Sequence, residues 1–221
     1  MVRQIRPIQA ASIAIGLCAV AGAACAQTAE QADGLYLGLG VGGLHSSGMH
    51  GAAIVPAQQQ PGLTVRITSA EDKDTGWKLY AGDRLGRHWA VEGGYTALGR
   101  YSFDGQVVQD PGTVQTRFKA DDWNLAALAI LPLDSGFEVF GKAGAGYWTT
   151  RLDTLGAFSG RSAPTATAHG FGPVLGLGAS WRLSKALSAR VDWEHFAHIG
   201  QADRTGRADI DFASIGLQYH F

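Results

Sequence analysis

Beyond residue 26 the 221-residue chain has no cysteine; Cys18 and Cys25 both lie in the opening segment. A disulfide scaffold and a thiolate metal site are therefore excluded for the bulk of the chain. Nor does that bulk hold a run of about 18 apolar residues, so no helix is expected to cross a membrane. Charge is sparse at 17%, and 18 basic residues face 19 acidic ones. That balance excludes a strongly basic nucleic-acid binder. The opening segment reads as a secretory signal over 1–26. Arg3 and Arg6 precede an apolar run from Ile13 to Ala24, and Ala24-Cys25-Ala26 supplies a small-x-small site, with cleavage expected after Ala26. Gly22, three before Cys25, stands where a lipoprotein signal carries a branched apolar residue. Losing Arg3 and Arg6 moves the formal charge from −1 to −3.

What the chain does have is 31 glycines, 10% aromatics and a persistent period of two. Period two marks strands with unlike faces. It recurs over Gly34 to Leu44, Asp74 to Asp83, His88 to Leu98, Asp122 to Leu131, Phe137 to Thr149, Phe171 to Trp181, Ala186 to Phe196 and Ile210 to Phe221. Short turns (84–87, 132–136, 182–185) alternate with long polar stretches near 45–73, 99–121, 150–169 and 198–208. Strands visited in order then place every short turn at one end and every long loop at the other. The expected fold is all-β: an eight-stranded antiparallel up-and-down transmembrane barrel with three short periplasmic turns and four long extracellular loops. Asp110-Pro111-Gly112, between Val107-Val108 and Val114, reads as a hairpin tip carrying two strands beyond the membrane. The expected organisation is 1–26 signal peptide, 27–33 short periplasmic segment and 34–221 barrel.

A soluble β-sandwich also alternates, but three features favour the barrel. The less apolar face carries glycines such as Gly38, Gly40, Gly144 and Gly178 beside bulky Tyr80, Phe140 and Trp148, as a narrow lumen filled by side chains requires. The same face carries Lys78, Lys142 and Arg190 against Glu92, Asp192 and Glu194. These charges sum to zero and can pair in a lumen, whereas a cation facing mid-bilayer lipid costs about 2–4 kcal/mol. Finally, aromatics gather at strand ends on the apolar face (Trp77, Tyr95, Trp123, Tyr147, Phe171, Trp181), the pattern of interfacial girdles.

The stretches VEGGYTALGRYSF (91–103), FEVFGKAGAGYWTTRLDT (137–154), FGPVLGLGASWRLSKALSARVDWEHF (171–196) and FASIGLQYHF (212–221) resemble the OmpA-like transmembrane barrel family. The resemblance implies an outer-membrane, structural and surface-exposed protein, monomeric, set among outer-membrane lipid and lipopolysaccharide. It implies contact with periplasmic chaperones and the barrel-assembly machinery, for which Tyr219 and Phe221 form the C-terminal assembly signal. It also implies adhesion or host-ligand binding through the loops. Glu92, Lys142, Arg190 and Asp192 match the family's inward charged positions, whose ion pairs are linked to a gate. Leu128 and Ser180 stand where the family places a lysine and a glutamate, and Lys78 and Glu194 are the expected substitutes. No peptidoglycan-binding domain is expected after the barrel.

Other classes find little support. Glu194-His195-Phe196-Ala197-His198 resembles the His-x-Ser pattern of lipid A deacylases, but Ala197 occupies the nucleophile position. No catalytic residue and no enzyme activity is expected. His45, His50, His169 and His220 match no metal-ligand spacing, and Gly40-x-Gly42 opens no helix, so no metal or other cofactor is expected. Glu71 to Asp74 reads as the solvated end of the first loop, which also holds the motif-free Gln58 to Gly62. The alternatives to a filled structural barrel are a narrow pore for ions or small solutes and, third, a soluble periplasmic ligand-binding barrel.

Overall fold

The computed structural model describes residues 34–47, 65–71, 73–107, 113–155, 165–202 and 204–221. The expected leader and N-terminal segment, His50, Gln58 to Gly62 and Asp110 to Gly112 lie outside them. The strands are β1 (Gly34–Ser47), β2 (Val65–Glu71), β3 (Lys73–Arg84), β4 (Trp89–Val107), β5 (Thr113–Pro132), β6 (Phe137–Leu155), β7 (Thr165–Arg182), β8 (Leu187–Ile199) and β9 (Ala208–His220). Each pairs antiparallel with its neighbours, and β1 pairs with β9 to close the sheet. β2 and β3 pair with successive stretches of β4 and serve as one broken strand, so the closed barrel has eight. Three tight turns join β3 to β4, β5 to β6 and β7 to β8 at one end, the second containing a 3-10 turn at Asp134–Gly136.

Much of what reads as long loop is strand. β4 reaches Val107 and β5 begins at Thr113, with Gln106 paired to Thr113 around the expected hairpin tip. β6 runs to Leu155, and β7 starts at Thr165. Glu71, Lys73 and Asp74 are strand residues rather than a loop end. The stretch near 198–208 is a compact turn in which Gly200 (φ 94°) and Gly206 (φ 79°) take up the left-handed backbone. There the Thr205 and Thr150 hydroxyls lie 3.0 Å apart. Polar residues suit such extensions because the water-facing side of a strand selects polarity, not irregular backbone.

The lipid-facing stripe is where alternation places it: Leu35, Leu37, Leu39 and Val41 on β1, Leu125 on β5, Leu175 and Leu177 on β7, and Ile215 and Leu217 on β9 all point outward and exposed. So continuous an apolar belt is foreign to a soluble protein, which removes the soluble-barrel alternative. Its rims are aromatic. On one side Trp77, Tyr95 and Trp123 follow one another with ring centroids 5.2 and 5.0 Å apart. Tyr147 is the register partner of Trp123, and its ring lies 5.1 Å from that of Phe171. On the other, Phe137 stacks on Trp181 at 5.4 Å and Tyr219 meets Phe221 edge-on at 5.1 Å.

Beyond the first rim the polarity of the wall reverses. Inward there are Leu98, Tyr101, Phe103, Phe118, Leu152, Phe196, Ile199, Ile210 and Phe212, all buried in one apolar cluster. Outward there are Arg100, Asp104, Arg117, Lys119 and Arg151, all exposed. Two irregularities serve this reversal. The pairing of β4 with β5 slips between Ala97 and Arg100, where Gly99 adopts φ 83°. Leu98 and Tyr101 thus both face inward, although strict alternation separates them. β8 slips likewise between Phe196 and Ile199, with His198 at φ 62°. A bulge re-aims side chains in this way by adding a residue to one strand.

Candidate functional site: the lumenal charge ring

Four strands carry the six charged residues expected in the lumen, and all six are brought together and buried. β3 supplies Lys78, β4 Glu92, β6 Lys142, and β8 the alternating series Arg190, Asp192, Glu194. They form a closed ring of alternating sign. Lys78 Nζ lies 3.1 Å from Asp192 Oδ2 and 2.7 Å from Glu194 Oε2. Lys142 Nζ bridges Glu194 Oε1 at 2.6 Å and Glu92 Oε1 at 2.9 Å. Arg190 donates from Nη1 to Glu92 Oε2 at 2.6 Å and from Nη2 to Asp192 Oδ1 at 2.8 Å, which closes the circuit. Every charge thus meets two of opposite sign, the condition under which buried ions are tolerated.

Neighbours complete the site. Tyr36 OH donates to Glu92 Oε2 at 3.2 Å, and Gln218 Oε1 accepts from Arg190 Nη1 at 3.2 Å. The Arg190 guanidinium lies 4.4 Å from the ring centroids of both Tyr80 and Phe140, in cation–π reach of each. Glycine makes room: a Cβ on Gly38 would fall 2.1 Å from the Tyr80 ring, and one on Gly178 2.2 Å from that of Phe140. Leu128 sits directly across from Lys142 and packs with Tyr36, Tyr80 and Phe140, so the ammonium enters the lumen from β6 while β5 contributes an apolar wall.

Sequence reasoning missed a second ion pair. Arg84 Nη2 lies 2.8 Å from Glu138 Oε1 near the short-turn end, and Ser180 Oγ donates to Glu138 Oε2 at 3.4 Å. Following the inward parity of Lys78 and Tyr80 two steps further reaches Arg84. The apolar cluster is hidden as well, because beyond the aromatic rim exposed charges such as Arg117, Lys119 and Arg151 alternate with its buried members and make these strands read as polar loop. On the other side of the ring, Asp122 is fully buried and receives the Asn124 amide at 3.1 Å.

The remaining expected residues face outward. Tyr219 and Phe221 lie on the lipid side of the short-turn rim, Phe221 at 80% exposure. His195 also faces outward and bonds through Nδ1 to Asp211 Oδ1 at 2.9 Å. Its cross-strand partners are Leu175 and Asp211, neither of which carries a hydroxyl or thiol.

A closed barrel with a lipid-facing belt, two aromatic rims and internally paired charges defines a transmembrane β-barrel protein. The OmpA-like transmembrane domain family matches residues 30–221, and the chain belongs to it. Outer membrane protein A of Serratia marcescens is 26% identical over 95% of this chain and 55% of its own length. That of Yersinia pseudotuberculosis is 28% identical over 74% and 45%, so the chain spans about half the length of these relatives. In fold it is similar to Neisserial surface protein A (16% identity, TM-score 0.56, covering 87% of this chain and 100% of that one). It is likewise similar to OprG of Pseudomonas aeruginosa (15%, TM-score 0.53, 86% and 97%). The chain is an outer-membrane protein.

Proposed function

We propose that the barrel is a sealed, non-catalytic scaffold that holds extracellular loops above the outer membrane. The observation that carries this reading is the double filling of the lumen. The charge ring occupies the lipid-embedded part, and the apolar cluster occupies the part beyond the aromatic rim. An eight-stranded barrel is just wide enough for side chains to fill. An ion crossing it must break paired charges and then enter an apolar core. A ring whose members each hold two partners acts here as a plug, since opening it strands at least two buried ions at once.

Planar-bilayer recording of the purified, heat-modifiable protein tests the reading. A quiet bilayer is expected, and stable conductance steps that scale with protein would replace the scaffold with a narrow pore. β4 and β5 extend past the aromatic rim to Val107 and Thr113, and binding functions concentrate on loops held by a rigid frame. Adhesion or host-ligand contact is accordingly assigned to the loops. Loss of host-cell binding on loop deletion is expected; undiminished binding would remove that role. Lipopolysaccharide is the lipid partner in the outer leaflet. Tyr219 and Phe221 are assigned to recognition by the barrel-assembly machinery, with periplasmic chaperones as earlier partners. Their outward, unshielded rings support this.

A further inference from the structure

Three cations stand side by side on the outer wall just beyond the aromatic rim. Arg100 of β4 is the register partner of Lys119 of β5, which is in turn the partner of Arg151 of β6. All three are exposed. Opposed residues on neighbouring strands hold their Cβ atoms about 4.5–5.5 Å apart, and like charges so placed repel. The local acids answer only in part. Lys119 Nζ lies 3.4 Å from Asp121 Oδ2, and Arg151 Nε lies 3.2 Å from Asp153 Oδ1. Asp121 also accepts from Tyr95 OH at 2.7 Å. Arg100 bonds through its backbone N–H, to Asp74 Oδ2 at 2.6 Å. Among the residues whose burial is described, Asp104 is a further exposed acid of this face. Solvent-exposed pairs of this kind are weak and exchange readily for a better anion.

Further down the same β5 and β6, past Trp123 and Leu125 and eight residues from Lys119, the lipid-facing wall is hollow. Ala127 pairs with Ala143 and Ala129 with Gly141, while Trp89 and Leu177 rise on either side. The result is a groove of about 420 Å³, apolar and open to the membrane. Trp123 and Tyr147 lie between groove and cations. Arg151 stands four residues past Tyr147, or about 13 Å along the strand. Cations above an interfacial girdle and a chain-wide apolar trough beneath it complement one kind of molecule.

We propose that the β4–β6 face binds one molecule of a phosphorylated, multiply acylated glycolipid of the outer leaflet, the lipid A portion of lipopolysaccharide. Its phosphate rests on Arg100, Lys119 and Arg151, and one acyl chain lies in the groove. The proposal deepens the lipid-partner reading above and rests on the outer-membrane placement, not on the sealing of the lumen. Filling of the trough is set by side chains pointing into lipid, so it can be altered without disturbing the interior.

Native mass spectrometry of the detergent-solubilised barrel, titrated with bis-phosphorylated lipid A, tests it. A saturable one-to-one adduct is expected. R100Q/K119Q/R151Q weakens it at least tenfold, A129L/A143L weakens it severalfold, and R204Q/R207Q leaves it unchanged. Heat-modifiable migration of each variant establishes that the barrel is closed. Dephosphorylated lipid A and phosphatidylglycerol both bind more weakly than the probe. Unchanged binding by either the cation or the groove variant overturns the proposal. So does equal binding of phosphatidylglycerol, which signals simple anion adsorption, and so does a dimer in place of the lipid adduct. Conductance of the triple variant stays at the wild-type level whichever way binding turns out, which keeps this test separate from that of the scaffold.

Discussion

The two halves of the lumen are built on opposite principles. Where lipid surrounds the wall, the interior holds the six-membered charge ring and the exterior is apolar. Where water surrounds it, the interior holds Tyr101, Phe118, Phe196 and Phe212, and the exterior is charged. The crossover falls at the Tyr95–Trp123–Tyr147 rim. In lipid no hydrophobic force drives apolar side chains inward, and ions have nowhere else to go. Above the membrane the usual preference returns, and the extension acts as the core of a small soluble β-protein. A single β-sheet therefore changes its inside-out sense along each strand without changing its backbone.

Interventions that disturb this contrast rank by what each half depends on. The largest effect is expected where the packing of the embedded half meets backbone. Gly144→Val would put a Cβ 2.2 Å from Leu125 O and 2.6 Å from Ala126 Cα, and no far side chain can yield. No heat-modifiable band should appear on refolding into lipid vesicles. Next comes Glu92→Ala, which leaves Lys142 and Arg190 each short of a partner. Breaking a buried pair costs about 3–5 kcal/mol, read as a lowered midpoint in urea unfolding from vesicles.

Phe118→Ala tests the other half: a cavity in its dry core costs about 3 kcal/mol. Its loss should be independent of added salt. The double variant E92M/K142M sharpens the contrast further. Removing both keeps the site neutral and leaves Arg190 on Asp192 and Glu194 on Lys78, so it costs less than removing Glu92 alone, which leaves an uncompensated buried cation. A double variant as unstable as Glu92→Ala would refute the pairwise account of the ring. The smallest effect belongs to Arg117→Ser on the wetted exterior, within about 0.5 kcal/mol by the same unfolding assay.

Much of this was legible in the residues. Alternation assigns Leu37, Leu39, Trp123 and Leu177 to lipid and Lys78, Glu92 and Arg190 to the lumen, since inward and outward simply follow parity. Parity does not say which carboxylate a lysine reaches, because that depends on strands distant in sequence: Lys142 finds Glu92 fifty positions away and Glu194 fifty-two. It also fails at a bulge, and Tyr101 and Phe103 stand beyond the slip at Gly99. Polar stretches such as 113–121 look like loop because a water-facing strand carries charge on one side, yet Phe118 and Ala120 keep the period on the other.

The amino-acid sequence by itself determined the membrane class, the number of crossings and the side each embedded residue faces, because these follow from a local period imposed by lipid on one side. The tertiary structure decided three further things: the closure of six charges into one ring, the dry core above the rim, and the alignment of Arg100, Lys119 and Arg151 over a groove on the same strands. Each depends on register between strands. Register is set by the closure of the whole barrel, which no single strand can specify.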